Sequence, residues 1–286
     1  MEYKNQHFIT EAYLRAWCDP NTPNGAFVWI VSKKDHSISR KSPRSLFSES
    51  DFYTIYDAGG NRNLELEHQL KDVEDKFIVL RDKKLKKHLP LTPDDRKVIA
   101  LFVSTMFART KRYKEEDKQT WQEYIDFIET LPQELAKQVK QTEEYNKVLE
   151  LHKDQPMPFR LFTFVNMAFS YVYLMNCVIY ETKTLPGLIT SDNPCFWFDP
   201  AVYDPNKPLT FYGIGSPTLN IIMPISPSQY ISLEMKGPDG YRTINTDPRN
   251  EEELVDIING FTATNSDEFI VVNQKFYKEK WFDEGE

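Results

Sequence analysis

The sequence contains little glycine, and this shortage excludes several classes of site. Only 10 glycines occur among 286 residues. The chain has neither a Gly-x-x-x-x-Gly-Lys phosphate loop nor a Gly-x-Gly-x-x-Gly dinucleotide fingerprint. It also lacks the Gly-x-Ser-x-Gly elbow that exposes a serine nucleophile. Nucleotide binding in a glycine-rich cradle and α/β-hydrolase chemistry are therefore not expected.

Cysteine is equally scarce. The 3 cysteines, Cys18, Cys177 and Cys195, are odd in number and form no Cys-x-x-Cys pair. A disulfide framework or a structural zinc site is therefore not expected, and reduced thiols fit a cytoplasmic protein. The first residues also lack the basic region and apolar run of a signal peptide.

Charge is absent from residues 161–180, a stretch long enough to cross a bilayer. The stretch contains asparagines and tyrosines, which are costly in lipid. We therefore expect a buried core helix and no association with a membrane.

The whole chain carries a formal net charge of -8. This argues against nonspecific coating of DNA, which needs clustered Lys and Arg, but does not exclude a local basic groove.

Apolar spacing and turn residues predict an α+β fold. Predicted helices cover 10–17, 64–87, 92–118, 159–181 and 250–263. Predicted strands cover 26–32, 33–40, 52–56, 188–190, 195–198, 209–212, 219–223, 229–233, 241–244 and 269–272. We expect one domain, residues 1–286, in which the N-terminal hairpin and the C-terminal strands form a mixed or antiparallel sheet. This sheet would pack against a central helical bundle.

Residues 111–155 differ in composition from the rest of the chain. They are rich in Lys, Glu and Gln and have few apolar anchors. We interpret them as exposed helices that form an insertion or flap within the domain. A protein partner would bind there.

The segment 188–198 predicts two apolar strands joined by a polar turn. Asp192, Asn193 and Pro194 are turn formers. Binding and catalytic groups often lie on such a loop between rigid strands. We therefore place a candidate site at this turn.

An ordered series of short motifs runs through these elements. They are Gln6-His7-Phe8, Tyr13-Leu14-Arg15, Phe52-Tyr53, Leu66-Glu67 with Glu74, Phe107-Ala108-Arg109-Thr110, Ile189-Thr190-Ser191-Asp192-Asn193-Pro194, Met223-Pro224-Ile225-Ser226-Pro227 and Asn259. In this order they resemble domain-of-unknown-function family 4238, over most of the chain except residues 111–155. Thr10 stands where that family commonly has a proline. The resemblance implies a prokaryotic cytoplasmic protein and supplies no activity.

The polar residues in these motifs suggest a metal-assisted hydrolase of nucleic acid or nucleotide phosphodiesters. The candidate metal ligands are His7, Glu67, Glu74 and Asp192, a set that suits Mg²⁺ or Mn²⁺. The ion would activate a water molecule. Candidate substrate-binding residues are Arg15, Arg109 and Asn193, with an arginine binding the phosphate oxygens. The prokaryotic family suggests host defence as a context.

A second pattern adds two catalytic candidates to His7 and Asp192. The strand that begins at Tyr230 ends in Glu234-x-Lys236. With Asp192 it imitates the Asp…Glu-x-Lys arrangement of restriction-type nucleases, in which two acids hold a metal and the lysine orients water. Glu-x-Lys is common by chance, so the signal is weak.

Each candidate also has a structural interpretation. His7 would cap a helix or bond within the core, and Asp192 would be a turn acid that binds backbone amides. Glu67 and Glu74 would pair with Arg109 between two helices. Convergence of His7, Asp192 and a helix carboxylate in one cleft would favour an enzyme.

The alternative function is a binding or regulatory protein without chemistry. It would recognise a partner through the 111–155 helices and through aromatic residues of the central segment. These aromatic residues are Phe159, Phe162, Phe164, Phe169, Tyr171 and Tyr173. The sequence does not indicate an oligomeric state.

Overall fold

A computed structural model describes residues 5–22, 25–57, 59–154, 156–204, 213–244 and 248–282. The helices are α1 (Glu11–Leu14), α2 (Glu65–Lys83), α3 (Pro93–Ala108), α4 (Lys111–Thr130), α5 (Gln133–Lys140), α6 (Glu143–Asp154), α7 (Pro156–Leu174) and α8 (Pro248–Asn265). The strands are β1 (Asn5–His7), β2 (Val28–Ser32), β3 (Ile38–Lys41), β4 (Ser48–Ser50), β5 (Ile55–Tyr56), β6 (Arg62–Asn63), β7 (Asn176–Glu181), β8 (Thr190–Ser191), β9 (Phe196–Phe198), β10 (Asn220–Ser226), β11 (Gln229–Glu234), β12 (Gly240–Thr243) and β13 (Phe269–Val272). Strands thus lie on both sides of a helical middle, which confirms the α+β class.

A four-stranded sheet joins the two ends of the chain. Its strand order is β3-β2-β13-β8, and all its neighbours are antiparallel. The predicted N-terminal hairpin, β2 and β3, therefore pairs with the last strand. The bounds of β13 agree with the predicted strand at 269–272.

A second sheet has five strands in the order β12-β7-β11-β10-β9. Its pairs are antiparallel except for β12 and β7, which are parallel. The predicted helix over 159–181 is wrong at its end, because α7 stops at Leu174 and β7 begins at Asn176. Pairing of β7 on both edges, together with its β-branched Val178 and Ile179, favours the extended form. The predicted strand at 209–212 lies outside the described residues.

The helices α2 and α3 pack through their aromatic residues. The rings of Phe77 and Phe102 stack with their centroids 3.7 Å apart. Thr92 caps α3 in a capping box with Asp95, and this start agrees with the predicted helix over 92–118. The predicted extension to residue 118 is wrong, because α3 ends at Ala108 and Thr110 caps a new helix, α4.

Two short antiparallel pairs complete the N-terminal region. The strand β1 pairs with β4, with His7 opposite Ser48, and neither strand was predicted. Of the predicted strand at 52–56, only Ile55 and Tyr56 are extended, paired with β6. The β1–β4 pair brings the turn at 43–45 next to His7.

The helix α7 is buried on one side only, so the expectation of a buried core helix is wrong for its other side. Its inner residues contribute to the main core that also contains α2 and α3. Phe162 and Leu174 are exposed. Within the described ranges, the structure contains no helix with the length and hydropathy needed to span a membrane.

The helices α4, α5 and α6 agree with the predicted helical character of residues 111–155. Their buried residues Ile128 and Ala136 belong to none of the three apolar clusters of the described chain. That these helices are an insertion in a single domain stays a prediction.

Candidate functional site

A polar cleft of about 530 Å³ lies between β1, α1, the turn at 43–45 and α2. Five of the residues selected from the sequence line it: His7, Arg15, Glu67, Glu74 and Arg109. They come from four separate elements, or the ends of elements, spread over about a hundred residues of sequence. This convergence makes the cleft the candidate functional site.

Helix periodicity places the two glutamates. Glu67 and Glu74 are seven residues apart on α2, so they share one side of the helix two turns apart. Leu70, between them, is buried and also borders the cleft. Both carboxylates therefore lie at the cleft.

Arg109 forms the buried base of the cleft, with a side chain only 3% exposed. Its Nε donates to the Tyr53 hydroxyl at 3.0 Å, Nη1 donates to Glu74 and Nη2 donates to the carbonyl of His7. Burial lowers the pKa of Arg109, but Tyr53 and Glu74 outweigh it and hold the pKa above its ordinary value. These contacts favour a structural role, since all three guanidinium nitrogens already have acceptors.

His7 stands at the mouth of the cleft in a defined tautomer. Its Nε2 lies 3.1 Å from the carbonyl oxygen of Arg44. Because a carbonyl only accepts, Nε2 carries the proton in the neutral ring and Nδ1 carries the lone pair. Burial lowers the pKa of His7 below its ordinary 6.5, although the bond to Arg44 opposes this. The imidazole is therefore neutral at neutral pH and available as a base.

Glu67 is the half-buried carboxyl of the cleft. Burial raises its pKa above the ordinary 4.5, against the effect of Arg109, and Glu74 adds to the rise. No other residue in the described ranges forms a hydrogen bond or ion pair with its carboxyl. A carboxyl with a raised pKa and a neutral imidazole lining one cleft are a pattern typical of acid and base groups in active sites.

Most charges of the cleft are already compensated. Arg15 pairs with Glu11 at 2.6 Å and Lys71 pairs with Asp75 at 2.6 Å. Arg109 pairs with Glu74. Among the described residues that line the cleft, the cation left without a carboxylate partner is Arg44, whose side chain is exposed.

Asp192 does not join this cleft. Its Oδ1 accepts from Asp267 N at 2.8 Å, and its Oδ2 accepts from Glu268 N and Phe269 N at 2.7 and 3.0 Å. It borders a separate cavity of about 260 Å³ that includes Phe8 and not His7. Burial raises its pKa to about 6, against the three backbone hydrogen bonds, which lower it. The predicted meeting of Asp192 with His7 is therefore not found, and the turn-acid interpretation describes these contacts.

Asn193 is also held by structural contacts. Its Nδ2 donates to the carbonyl of Asn265 at 3.0 Å, and Asn265 Nδ2 donates back to the Asn193 carbonyl at 2.9 Å. These bonds join the turn to the end of α8. Asn193 lines neither the cleft at β1 nor the cavity beside Asp192, and its substrate-binding role stays a prediction.

The Asp…Glu-x-Lys arrangement is not assembled by the described contacts. Glu234 ends β11 in the five-stranded sheet and accepts from the Tyr180 hydroxyl at 3.2 Å. Arg242 lies 3.9 Å from it, and Lys236 is exposed beyond the strand. Asp192 follows β8 in the other sheet, so the two acids have no shared partner.

Metal donors are few in the cleft. Over the described ranges, no group of three or more His, Cys, Asp or Glu side chains is arranged to hold a metal ion. Glu74 is engaged by Arg109, and Asp192 lies elsewhere. His7 and Glu67 remain as the donors that face the cleft.

Sequence reasoning missed Arg44. The pairing of β1 with β4 places this residue beside His7, although 37 positions separate them. No motif or periodicity around Arg44 marks it, so only knowledge of that strand pair could have selected it.

The chain is an α+β protein, with strands on both sides of a helical bundle and a charged cleft at β1 as its candidate site. A family described as "Protein of unknown function (DUF4238)" matches residues 5–276. The chain belongs to this family, which confirms the resemblance inferred from its motifs. No curated protein and no solved structure matches the chain.

Proposed function

We propose that the protein is a hydrolase of phosphodiester bonds in nucleic acid or nucleotides, with the cleft at β1 as its active site. The observation that supports this is the meeting of His7, Glu67 and Arg44 in one cleft. They supply a neutral imidazole, a protonatable carboxyl and an unpaired cation. These are the three chemical groups that hydrolysis of a phosphodiester uses.

His7 is the proposed general base. Its Nδ1 would take a proton from the attacking water, while the carbonyl of Arg44 holds the ring through Nε2. Burial raises the pKa of Glu67, so this carboxyl would give a proton to the leaving oxygen. Each such proton transfer typically contributes about 10²–10⁴-fold to a rate.

Arg44 is the proposed phosphate-binding residue. A guanidinium binds two phosphate oxygens at once, which fixes the phosphorus relative to His7. Arg15 lies on the rim and would be a second contact, weakened by its pair with Glu11. Arg109 would position His7 by donating to its carbonyl rather than touch substrate.

A metal-dependent version of this proposal uses the same two side chains. Glu67 and His7 would hold Mg²⁺ or Mn²⁺, and water and substrate oxygens would complete the coordination, as is common for Mg²⁺. A bound ion supplies an activated water. Activity in the presence of a chelator separates the two versions.

The test is cleavage of short single- and double-stranded DNA and RNA and of dinucleotides, with Mg²⁺, with Mn²⁺ and with chelator. We expect His7→Gln, which keeps a donor for the Arg44 carbonyl, and Glu67→Gln to lose roughly 100-fold or more in rate. Glu65→Gln, an exposed position on the same helix, is the matched control and should remain active. Wild-type protein that cleaves none of these substrates would contradict the proposal.

The cellular setting is part of the proposal. Two of the three free cysteines are buried, which fits a reducing cytoplasm. We propose a prokaryotic cytoplasmic enzyme that acts in host defence. Cells carrying wild-type protein should then resist phage plating, and cells carrying His7→Gln should not.

A binding protein is the second candidate function, favoured by exposed apolar residues on the 111–155 helices. Tyr124, Phe127 and Leu135 are exposed on α4 and α5. A protein partner that binds wild type and His7→Gln equally, but not Phe127→Ser, would support this function over catalysis.

The aromatic residues of the central segment were also predicted to bind a partner. Among them, the side chain of Phe159 lies outside the described residues.

A further inference from the structure

The outward face of α7 is apolar and uncovered among the described residues. It comprises Phe162, Met167, Tyr171 and Leu174, which are 68%, 52%, 46% and 75% exposed. The small polar residues Thr163, Asn166 and Ser170 lie exposed among them. The opposite side of the helix packs on α3 through residues such as Ala168 and Val172.

These residues form one continuous surface. Positions 162, 166, 170 and 174 make one i, i+4 row, and positions 163, 167 and 171 make the row beside it. From Phe162 to Leu174 the face is about 18 Å long. Its four apolar side chains expose roughly 400 Å², the size of patch that often marks an interaction site.

The chemistry of this face restricts what can cover it. Residues 161–180 include no charged side chain. Nucleic acid needs Lys and Arg, and helices that lie on membranes are typically rich in the same residues. The fitting partner is therefore an uncharged, largely apolar protein surface.

The same face of a second copy has this chemistry. Two chains of net charge -8 repel each other over most of their surfaces, but two uncharged faces do not. Symmetric pairing would bury roughly 800 Å² from the apolar side chains alone, and the flanking polar residues would bring the total towards the ~1,000 Å² of a specific interface.

We propose that the outward face of α7 is a homodimer interface, in which α7 packs antiparallel against α7 of a second copy about a two-fold axis. Phe162 then meets Leu174 of the partner subunit, and Met167 lies close to the axis. Ser170 and Thr163 are small enough for the helices to approach to about 8–10 Å.

Light scattering after gel filtration tests the interface. Wild type should scatter with twice the 33.7 kDa of the chain, and Phe162→Glu combined with Leu174→Glu should halve that mass. Leu185→Glu, at a position 80% exposed outside α7, is the control and should remain dimeric. Both variants should keep the circular dichroism spectrum of wild type, because the substituted side chains are exposed within one chain. The melting temperature of the double variant should lose only the contribution of dimerisation.

A cysteine cross-link tests the geometry independently. In a Cys18→Ser background, Met167→Cys should form a disulfide-linked dimer on mild oxidation. Val79→Cys, at a position 51% exposed on α2, should not. Wild type that stays at the mass of one chain at high concentration would overturn the proposal, as would a dimer that survives the double substitution. Monomeric wild type that binds phosphatidylcholine vesicles, and loses this with Phe162→Glu, would assign the face to lipid instead.

Discussion

One guanidinium holds three parts of the molecule together at the base of the cleft. Arg109, just beyond α3, donates to Glu74 of α2, to Tyr53 and to the carbonyl of His7. Removing one partner of a buried ion pair leaves an uncompensated charge in the interior. The position of the candidate base, His7, therefore depends on a residue that need not touch substrate.

We expect Arg109→Met to lower the free energy of unfolding by about 3 kcal/mol, because it leaves Glu74 and the His7 carbonyl without their donor. Urea denaturation measures this directly. Lys76→Met, which removes an exposed pair with Asp72 on α2, should change stability by less than about 1 kcal/mol. An Arg109 variant with wild-type stability and lost substrate binding would instead assign Arg109 to the substrate.

Asp192 gives the fold a pH dependence of its own. Its pKa is about 6 in the folded chain, against an ordinary value of 3.8. Between these two pH values the folded state therefore binds more protons than the unfolded state. The contribution of Asp192 to the free energy of unfolding is complete below pH 3.8 and is lost as the pH rises through about 6.

The difference in unfolding free energy between wild type and Asp192→Asn isolates this effect. Urea denaturation should show that the unfolding free energy of wild type minus that of Asp192→Asn falls by up to about 3 kcal/mol from pH 4 to pH 7. A difference that rises over this range would mean that the three backbone donors outweigh burial, and that the folded pKa is depressed.

At the scale of elements, residues 187–190 are where separate parts of the fold meet. Asn259 of α8 accepts from Ile189 N and donates to the Gly187 carbonyl, both at 3.0 Å. Trp17 Nε1 donates to the Leu188 carbonyl at 2.8 Å, and the Tyr13 hydroxyl bonds Thr190 at 2.7 Å. Several motifs that mark the family are therefore explained by packing rather than by chemistry.

Gly187 makes this meeting possible. Its φ is +87°, and a Cβ there would clash with the backbone oxygen of Pro227. We expect Gly187→Ala to destabilise the fold by roughly 2–4 kcal/mol, from backbone strain and displacement of the Leu188–Pro227 bond. The melting temperature checks this, with Gly215→Ala, where a Cβ meets open space, as the control. Equal melting temperatures would contradict the prediction.

Local signals made part of this architecture predictable. The start of α3, the hairpin of β2 and β3 and the strand β13 each depend on a few neighbouring residues, and each was predicted. β7 was missed because its strand form depends on partners far along the chain. The Arg44–His7 contact was missed for the same reason, and Asp192 was selected for a polarity that the amides of 267–269 satisfy.

For the whole molecule, Tyr113 at the start of α4 packs against the main apolar cluster, but no described residue of 116–150 belongs to any of the three clusters. We expect a chain with residues 116–150 replaced by a Gly-Ser linker to unfold cooperatively, with a melting temperature near that of the full chain. Differential scanning calorimetry measures this. Loss of the cooperative transition would show that these helices are part of the core rather than an insertion.

The pairwise cancellation of charge in the cleft predicts how any polyanion would respond to ionic strength. Counterion release scales with the number of phosphates neutralised, at about 0.9 in log K per log salt for each contact on duplex DNA. With Arg44 as the main unpaired cation of the described cleft and a net charge of -8 around it, that slope should be close to one contact. Long duplexes should therefore bind with little more affinity than a dinucleotide, so the length of a nucleic acid should have little effect on its binding.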